Sequence, residues 1–217
     1  METLNVAASP GSSNVRRAVR NGLVLVAVLL TLPLWLPVRL FASFNPKDTL
    51  FLTCSQILSL FPGLLGIFLR RGFYLMSLDS FGWDCTIEFG TWIAHRRVSI
   101  GRCVYIGGRC TLGMCSIGDH TLVGSNVDIL AGRYTHRFDD PSRPICEQDH
   151  VFRPVRIGRN AWIGNSAVVM DDVGDDTIIG AGSVVVKPIP AGTIAVGNPC
   201  VVKKERFPVE QREQSVV

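Results

Sequence analysis

The chain has 217 residues, room for one domain and an extension, and 47% of them are hydrophobic with a mean hydropathy of +0.28, which is high for a purely soluble protein. A net charge of +4, with no Lys/Arg run interleaved with aromatics outside the termini, argues against nucleic acid as a partner. Seven cysteines without a C-x-x-C pair argue against a secreted disulfide framework and a structural zinc site, so Cys103, Cys110 and Cys115 are expected to be small buried fillers.

Residues 1–20 are expected as a disordered N-terminus, small and polar as far as Asn14. Arg16, Arg17 and Arg20 then precede an apolar run from Leu23 to Val38. Eighteen residues separate Arg20 from Arg39, and as helix they would extend ~27 Å at ~1.5 Å per residue, just short of a hydrocarbon core of ~30 Å. A second apolar segment, Leu50 to Leu69, carries Thr53, Ser55, Gln56 and Ser59, contains Pro62-Gly63 and ends at Arg70-Arg71. Basic residues bracketing the pair predict a helical hairpin with both ends, and the domain that follows, on the cytoplasmic side of a membrane. Residues 21–72 are therefore assigned to apolar helical segments that associate with the membrane. Two other readings stand beside this one: a cleaved signal peptide for the first segment, and for the second a helix packed on the end of the following domain with one wet face.

From Phe81 the composition turns Gly-rich and an aliphatic residue recurs about every six positions, at Ile87, Ile93, Ile100, Ile106, Leu112, Ile117, Val123 and Ile129, then at Ile157, Ile163, Val169, Ile179 and Val185. Period six suits neither a helix nor a simple alternating strand; it suits a coil of three short strands, each turning one aliphatic side chain inward. Small residues four positions on, Ala161, Ala167 and Ser183, fit narrow corners. Single coils cannot bury their apolar faces, so they must stack as a solenoid. Residues 81–200 form this domain, interrupted by a loop at 130–156 rich in His, Arg, Asp and Pro; loops of that length in a compact fold are usually functional.

The stretches IGRNAWIGNSAVV, IGAGSVVVKPIP and AVGNPC resemble the hexapeptide-repeat acyltransferases, in particular the branch of galactoside, maltose, nodulation-factor and polysaccharide O-acetyltransferases. The resemblance covers about Phe81 to Lys204. It implies a mainly β fold, a left-handed parallel β-helix, assembled as a homotrimer with active sites between subunits and acetyl-CoA as co-substrate, with no metal. The family's catalytic His lies in the interrupting loop, followed by Asp and often Pro; LAGRYTHRFDDP places His136 there. An imidazole can take the proton of a sugar hydroxyl as it attacks a thioester. Asp139 and Asp140 are both open as its orienter. His150 is a second loop candidate that the resemblance does not select, and His95 and His120 read as structural or surface residues.

On the donor side the resemblance carries CoA contacts to Asn165, Ala181, Lys187 and Lys204, where small residues admit backbone amides and ammonium groups meet phosphate. Trp162 reads as subunit packing, and residues 201–217 as a polar tail without a site. Two features depart from the pattern: the spacing shortens between Val169 and Val173, and the apolar segments before Phe81 are foreign to the small soluble members. The expected function is transfer of acetyl to a hydroxyl of a sugar or glycan precursor, more plausibly lipid-linked or polymer-bound than free. The rival readings are a non-catalytic trimeric scaffold of a membrane-associated glycan-assembly complex and a metal-dependent hydratase resembling the γ-class carbonic anhydrases.

Overall fold

In the computed structural model, which describes residues 10–41 and 48–207, the period of six becomes a three-sided, left-handed parallel β-helix of about six turns. One side stacks β1 (Ser80–Phe81), β4 (Ser99–Ile100), β7 (Cys115–Ile117) and β10 (Val155–Ile157). The second stacks β2 (Thr86–Ile87), β5 (Tyr105–Ile106), β8 (Leu122–Val123), β11 (Trp162–Ile163), β13 (Ile178–Ile179) and β15 (Thr193–Val196). β3 (Trp92–Ile93), β6 (Thr111–Leu112), β9 (Asp128–Ile129), β12 (Val168–Val169) and β14 (Val184–Val185) make the third.

The repeating aliphatics from Ile87 to Val185 are all buried along the axis. The predicted corner residues Ala161, Ala167 and Ser183 are buried as well, and the residue before each has positive φ: Asn160, Ser166 and Gly182. Gly follows the aliphatic because coils touch there. A Cβ on Gly158 would lie 2.4 Å from the Asp175 amide nitrogen, and one on Gly164 2.4 Å from that of Ala181. Cys110 and Cys115 are buried fillers, but Cys103 is exposed: it occupies a positive-φ corner position, and its thiol reaches Asp84 Oδ2 at 3.0 Å.

The shortened step after Val169 reduces one side of a coil to a single residue, Val173, bridging Ile157 and Ile189. Its two carboxylates are used locally. Asp171 and Asp172 accept from Arg153 at 2.6 and 2.8 Å, and Asp172 also accepts from the Arg156 amide at 2.9 Å. The predicted tail begins instead as a strand, β16 (Val201–Glu205), antiparallel to β15; the remainder of it, 208–217, lies outside the described residues.

Three helices precede the coils. The first, α1, runs Pro10–Leu40, so the expected disorder over 1–20 is overtaken by helix from Pro10 onward, and 1–9 lie outside the described residues. It buries Val24, Ala27, Thr31 and Val38, a 3–4-residue stripe, while Leu25, Val26, Leu29, Leu30 and Leu36 stay exposed. The second apolar segment is two helices, α2 (Thr49–Ser59) and α3 (Gly63–Ser77), because Pro62 cannot continue α2 and Gly63 adopts positive φ. Neither is of membrane-spanning length, which removes the predicted hairpin of two spans; Ala18–Leu40, with mean hydropathy 2.2, is long and apolar enough by itself.

The α2–α3 pair caps the first coil. Ser55 Oγ accepts from the Ile93 amide at 2.9 Å and shares a 2.7 Å hydrogen bond with Tyr74 OH. Arg70, 0% exposed, donates to Ile87 O, Leu58 O and Phe61 O at 3.0, 3.0 and 2.9 Å, and Arg71 to Cys85 O at 2.8 Å. The basic pair read as a cytoplasmic flank is therefore interior. Burial pulls both guanidinium groups below their ordinary pKa, and the carbonyls at the exposed end of the coil and of α2 supply the compensating acceptors. Arg70→Ala leaves buried carbonyls unpaired and is expected to cost roughly 3 kcal/mol at ~1–3 kcal/mol per unsatisfied group; a denaturant melt in detergent overlaying that of wild type would discard this account of the cap.

Candidate active site

The loop between the two blocks of coils is an ordered arm. Arg153 N donates to Ala131 O at 3.0 Å, Val151 N to Thr135 O at 3.1 Å and Arg137 N to Asp149 O at 3.0 Å, with His136 bridged antiparallel to His150. Its tip carries a short 3-10 turn at Ile145–Glu147. Gln148 is buried and holds the tip closed: Nε2 donates to Asp140 O at 3.0 Å and Arg143 O at 2.9 Å, and Oε1 accepts from Asp140 N at 3.2 Å. At the other end Arg133 Nη1 donates to Val186 O at 2.7 Å, fastening the arm beside Lys187.

His136 is exposed and lines an open cavity of about 470 Å³ with Tyr134, Arg137, Phe138, Asp139 and Val151. A groove of similar size on the face of the first side, around Arg156 and Asp172, holds none of the candidate residues. Both aspartates left open as orienters have other partners. Asp139 pairs with Arg137 at 3.1 Å, while Asp140 accepts from the Ser142 hydroxyl at 2.6 Å and amide at 2.9 Å, which lowers its pKa. What adjoins the His136 ring is His150, edge to face, with ring centroids 4.5 Å apart. His150 in turn stacks on Phe152, which meets the edge of His95.

The donor-side residues occupy three places within one chain. Asn165 and Ala181 share the corner between the second and third sides on successive coils, where Gly182 N donates to Asn165 O at 2.8 Å. The Asn165 side chain also ties coils together, accepting from Ser125 N at 3.0 Å. Lys187 lies at the next corner, after β14, and Lys204 sits on β16 opposite Ile194; both are exposed. Trp162 points outward in a row with Tyr105 and Leu122. Gln148, Arg133 and Arg153 escape sequence reasoning, since none belongs to a periodic pattern; the Asp171-Asp172 pair in the shortened turn is the one written hint of a cation nearby.

Residues 154–187 match the family model described as bacterial transferase hexapeptide (six repeats). The chain superposes on a maltose O-acetyltransferase from Clostridium difficile 630 with a TM-score of 0.64 and 26% identity, over 73% of this chain and 86% of that one. It is similar to the hexapeptide-repeat transferases. A galactoside acetyltransferase solved in complex with coenzyme A gives a TM-score of 0.65 at 25% identity, over 75% of this chain and 82% of that one. In sequence, this hexapeptide-repeat protein is 34% identical over 115 residues to the galactoside O-acetyltransferase of Escherichia coli (strain K12), covering 50% of this chain and 54% of that protein. It spans about half the length of the curated relatives it matches.

Replacing Gln148 by Ala removes three hydrogen bonds from the arm's tip and none from the coils. We expect faster hydrogen exchange at residues 140–143, by roughly 1–3 kcal/mol of local opening, with the global melt unmoved; unchanged exchange would mean that the tip is closed by other contacts.

Proposed function

We propose that this protein is an acetyl-CoA-dependent O-acetyltransferase whose acceptor is a hydroxyl of a sugar or glycan precursor. The observation that carries the reading is the imidazole of His136 at an open cavity, on the arm that interrupts the same coil found in a galactoside acetyltransferase that binds coenzyme A. The acceptor oxygen attacks the thioester carbonyl as His136 takes its proton. A C–O bond forms, the tetrahedral oxyanion is stabilised by backbone amides, and collapse breaks the C–S bond. The imidazolium then returns the proton to the departing thiolate.

The active unit in this proposal is a homotrimer. In one chain Asn165 and Ala181 share one corner, Lys187 lies at the next and Lys204 sits on β16, and a donor groove using all four is completed in this reading by a neighbouring subunit. The outward row Tyr105, Leu122 and Trp162 is apolar surface suited to such contact. We place the enzyme on the cytoplasmic face of a membrane. Helix α1 packs sideways on α3, with Ala27 against Gly72, and turns Leu25, Leu29 and Leu36 outward. A helix apolar on all faces and packed on only one calls for an apolar surrounding on the others.

His136→Ala is expected to lower kcat about 10³-fold while light scattering still reports a trimer and calorimetry an unchanged CoA affinity; wild-type turnover would take His136 out of the mechanism. Gln at Leu25, Leu29 and Leu36 spares the packed stripe of α1. The triple variant is expected to leave the carbonate-resistant pellet for the supernatant, and retention in the pellet refutes membrane attachment through this face.

A further inference from the structure

A second and larger cavity, about 820 Å³, opens where the end of α1, the first coil and the returning arm meet, within the range of small-molecule sites. Its charged lining is Arg39, Arg96 and Arg97 with Asp48 and Asp79, and His95 joins them. Arg96 and Asp48 satisfy each other: the guanidinium Nε and Nη2 both reach Asp48 Oδ1 at 2.7 Å and the Arg96 amide reaches Oδ2 at 3.2 Å. Arg39 and Arg97 form no ion pair among the described residues. Ser77, on the same wall, has a buried hydroxyl without a hydrogen-bond partner. Two exposed guanidinium groups on one cavity wall, with the Ser77 hydroxyl beside them, are donors suited to an anion.

The cavity adjoins the candidate active site. Val151 lines the cavity of His136 and the next residue, Phe152, lines this one, so the two flank one segment of the arm. Phe152 stacks on His150 at 6.1 Å, and His150 lies 4.5 Å from His136. An acceptor with its sugar hydroxyl at His136 would have this cavity on the other side of the Val151-Phe152 segment.

We propose that this cavity binds the phosphate or diphosphate group of a glycosyl phosphate acceptor, an assignment that rests on the acyltransferase reading for the sugar end alone. Guanidinium forks match phosphate oxygens in pairs, and Met76, Met114 and Phe152 supply the apolar wall beside them. The carrier beyond the phosphate is a lipid or a nucleotide. The exposed apolar row of α1 ends at Leu36 and Leu40, on either side of Arg39, in position to continue along a lipid chain.

The test is calorimetric titration of the full chain in detergent with inorganic pyrophosphate under saturating CoA, so that the donor site is filled. It reads binding without requiring transfer, and so separates this proposal from the enzymatic one. We expect wild type to bind, the Arg39→Ala/Arg97→Ala variant to bind at least 10-fold more weakly with its circular dichroism retained, and Arg39→Lys/Arg97→Lys to recover part of the loss. Absence of binding by wild type, or equal affinity in the alanine variant, overturns the proposal. Displacement of the pyrophosphate more readily by farnesyl diphosphate than by uridine diphosphate supports the site with a lipid carrier, and the reverse order supports it with a nucleotide carrier.

Discussion

Every feature of this molecule hangs on the seating of one coil upon the next. Backbone bonds such as Gly158 N to Val173 O and Gly164 N to Ile179 O, both 2.8 Å, run along the axis, and at Gly158 and Gly164 the next coil comes so close that a Cβ would meet its backbone at 2.4 Å. Inward aliphatics then fall directly above one another and close an apolar column, and the polar side chains buried beside it at the corners, Thr91, Thr121 and Thr177, donate to carbonyls of the next coil. Such a column is a one-dimensional structure whose stability passes from neighbour to neighbour, so its ends are its weak points.

The two ends are solved differently. At the far end β16 folds back antiparallel on β15 and covers that strand's outer edge. At the near end the chain spends two helices and two arginines. Arg70 and Arg71 reach past the first coil's rim to carbonyls that would otherwise face an apolar cap. This arrangement also sets the geometry of the whole N-terminal layer, because α1 rests on α3 and its outer leucines are thereby presented together.

The arm that carries His136 depends on the column in the same way. It leaves after β9 and returns before β10, two strands that occupy different sides, so its base is held by coils on either side. Arg133 and Arg153 pin that base to Val186 and to the shortened turn. The imidazole pair of His136 and His150 follows from the antiparallel bridge between them, a cross-strand pairing that no spacing in the sequence announces.

The period of six, with its small corner residues, determined the solenoid and the position of the interruption, because side-chain size at each corner is a local requirement written in every coil. That His136 lies in the interruption was legible too; its role is what the resemblance implies. Tertiary structure alone decided that Arg70 and Arg71 are interior, that the second apolar segment breaks into two capping helices, that Cys103 faces solvent and that residues 201–205 form a strand. Each of those outcomes turns on which surface lies opposite, and a run of apolar or basic residues reads the same whether a bilayer, water or the open end of a coil stands across from it. For the same reason Asp139 and Asp140 could not be told apart: their partners, Arg137 and Ser142, were chosen by the fold of the arm.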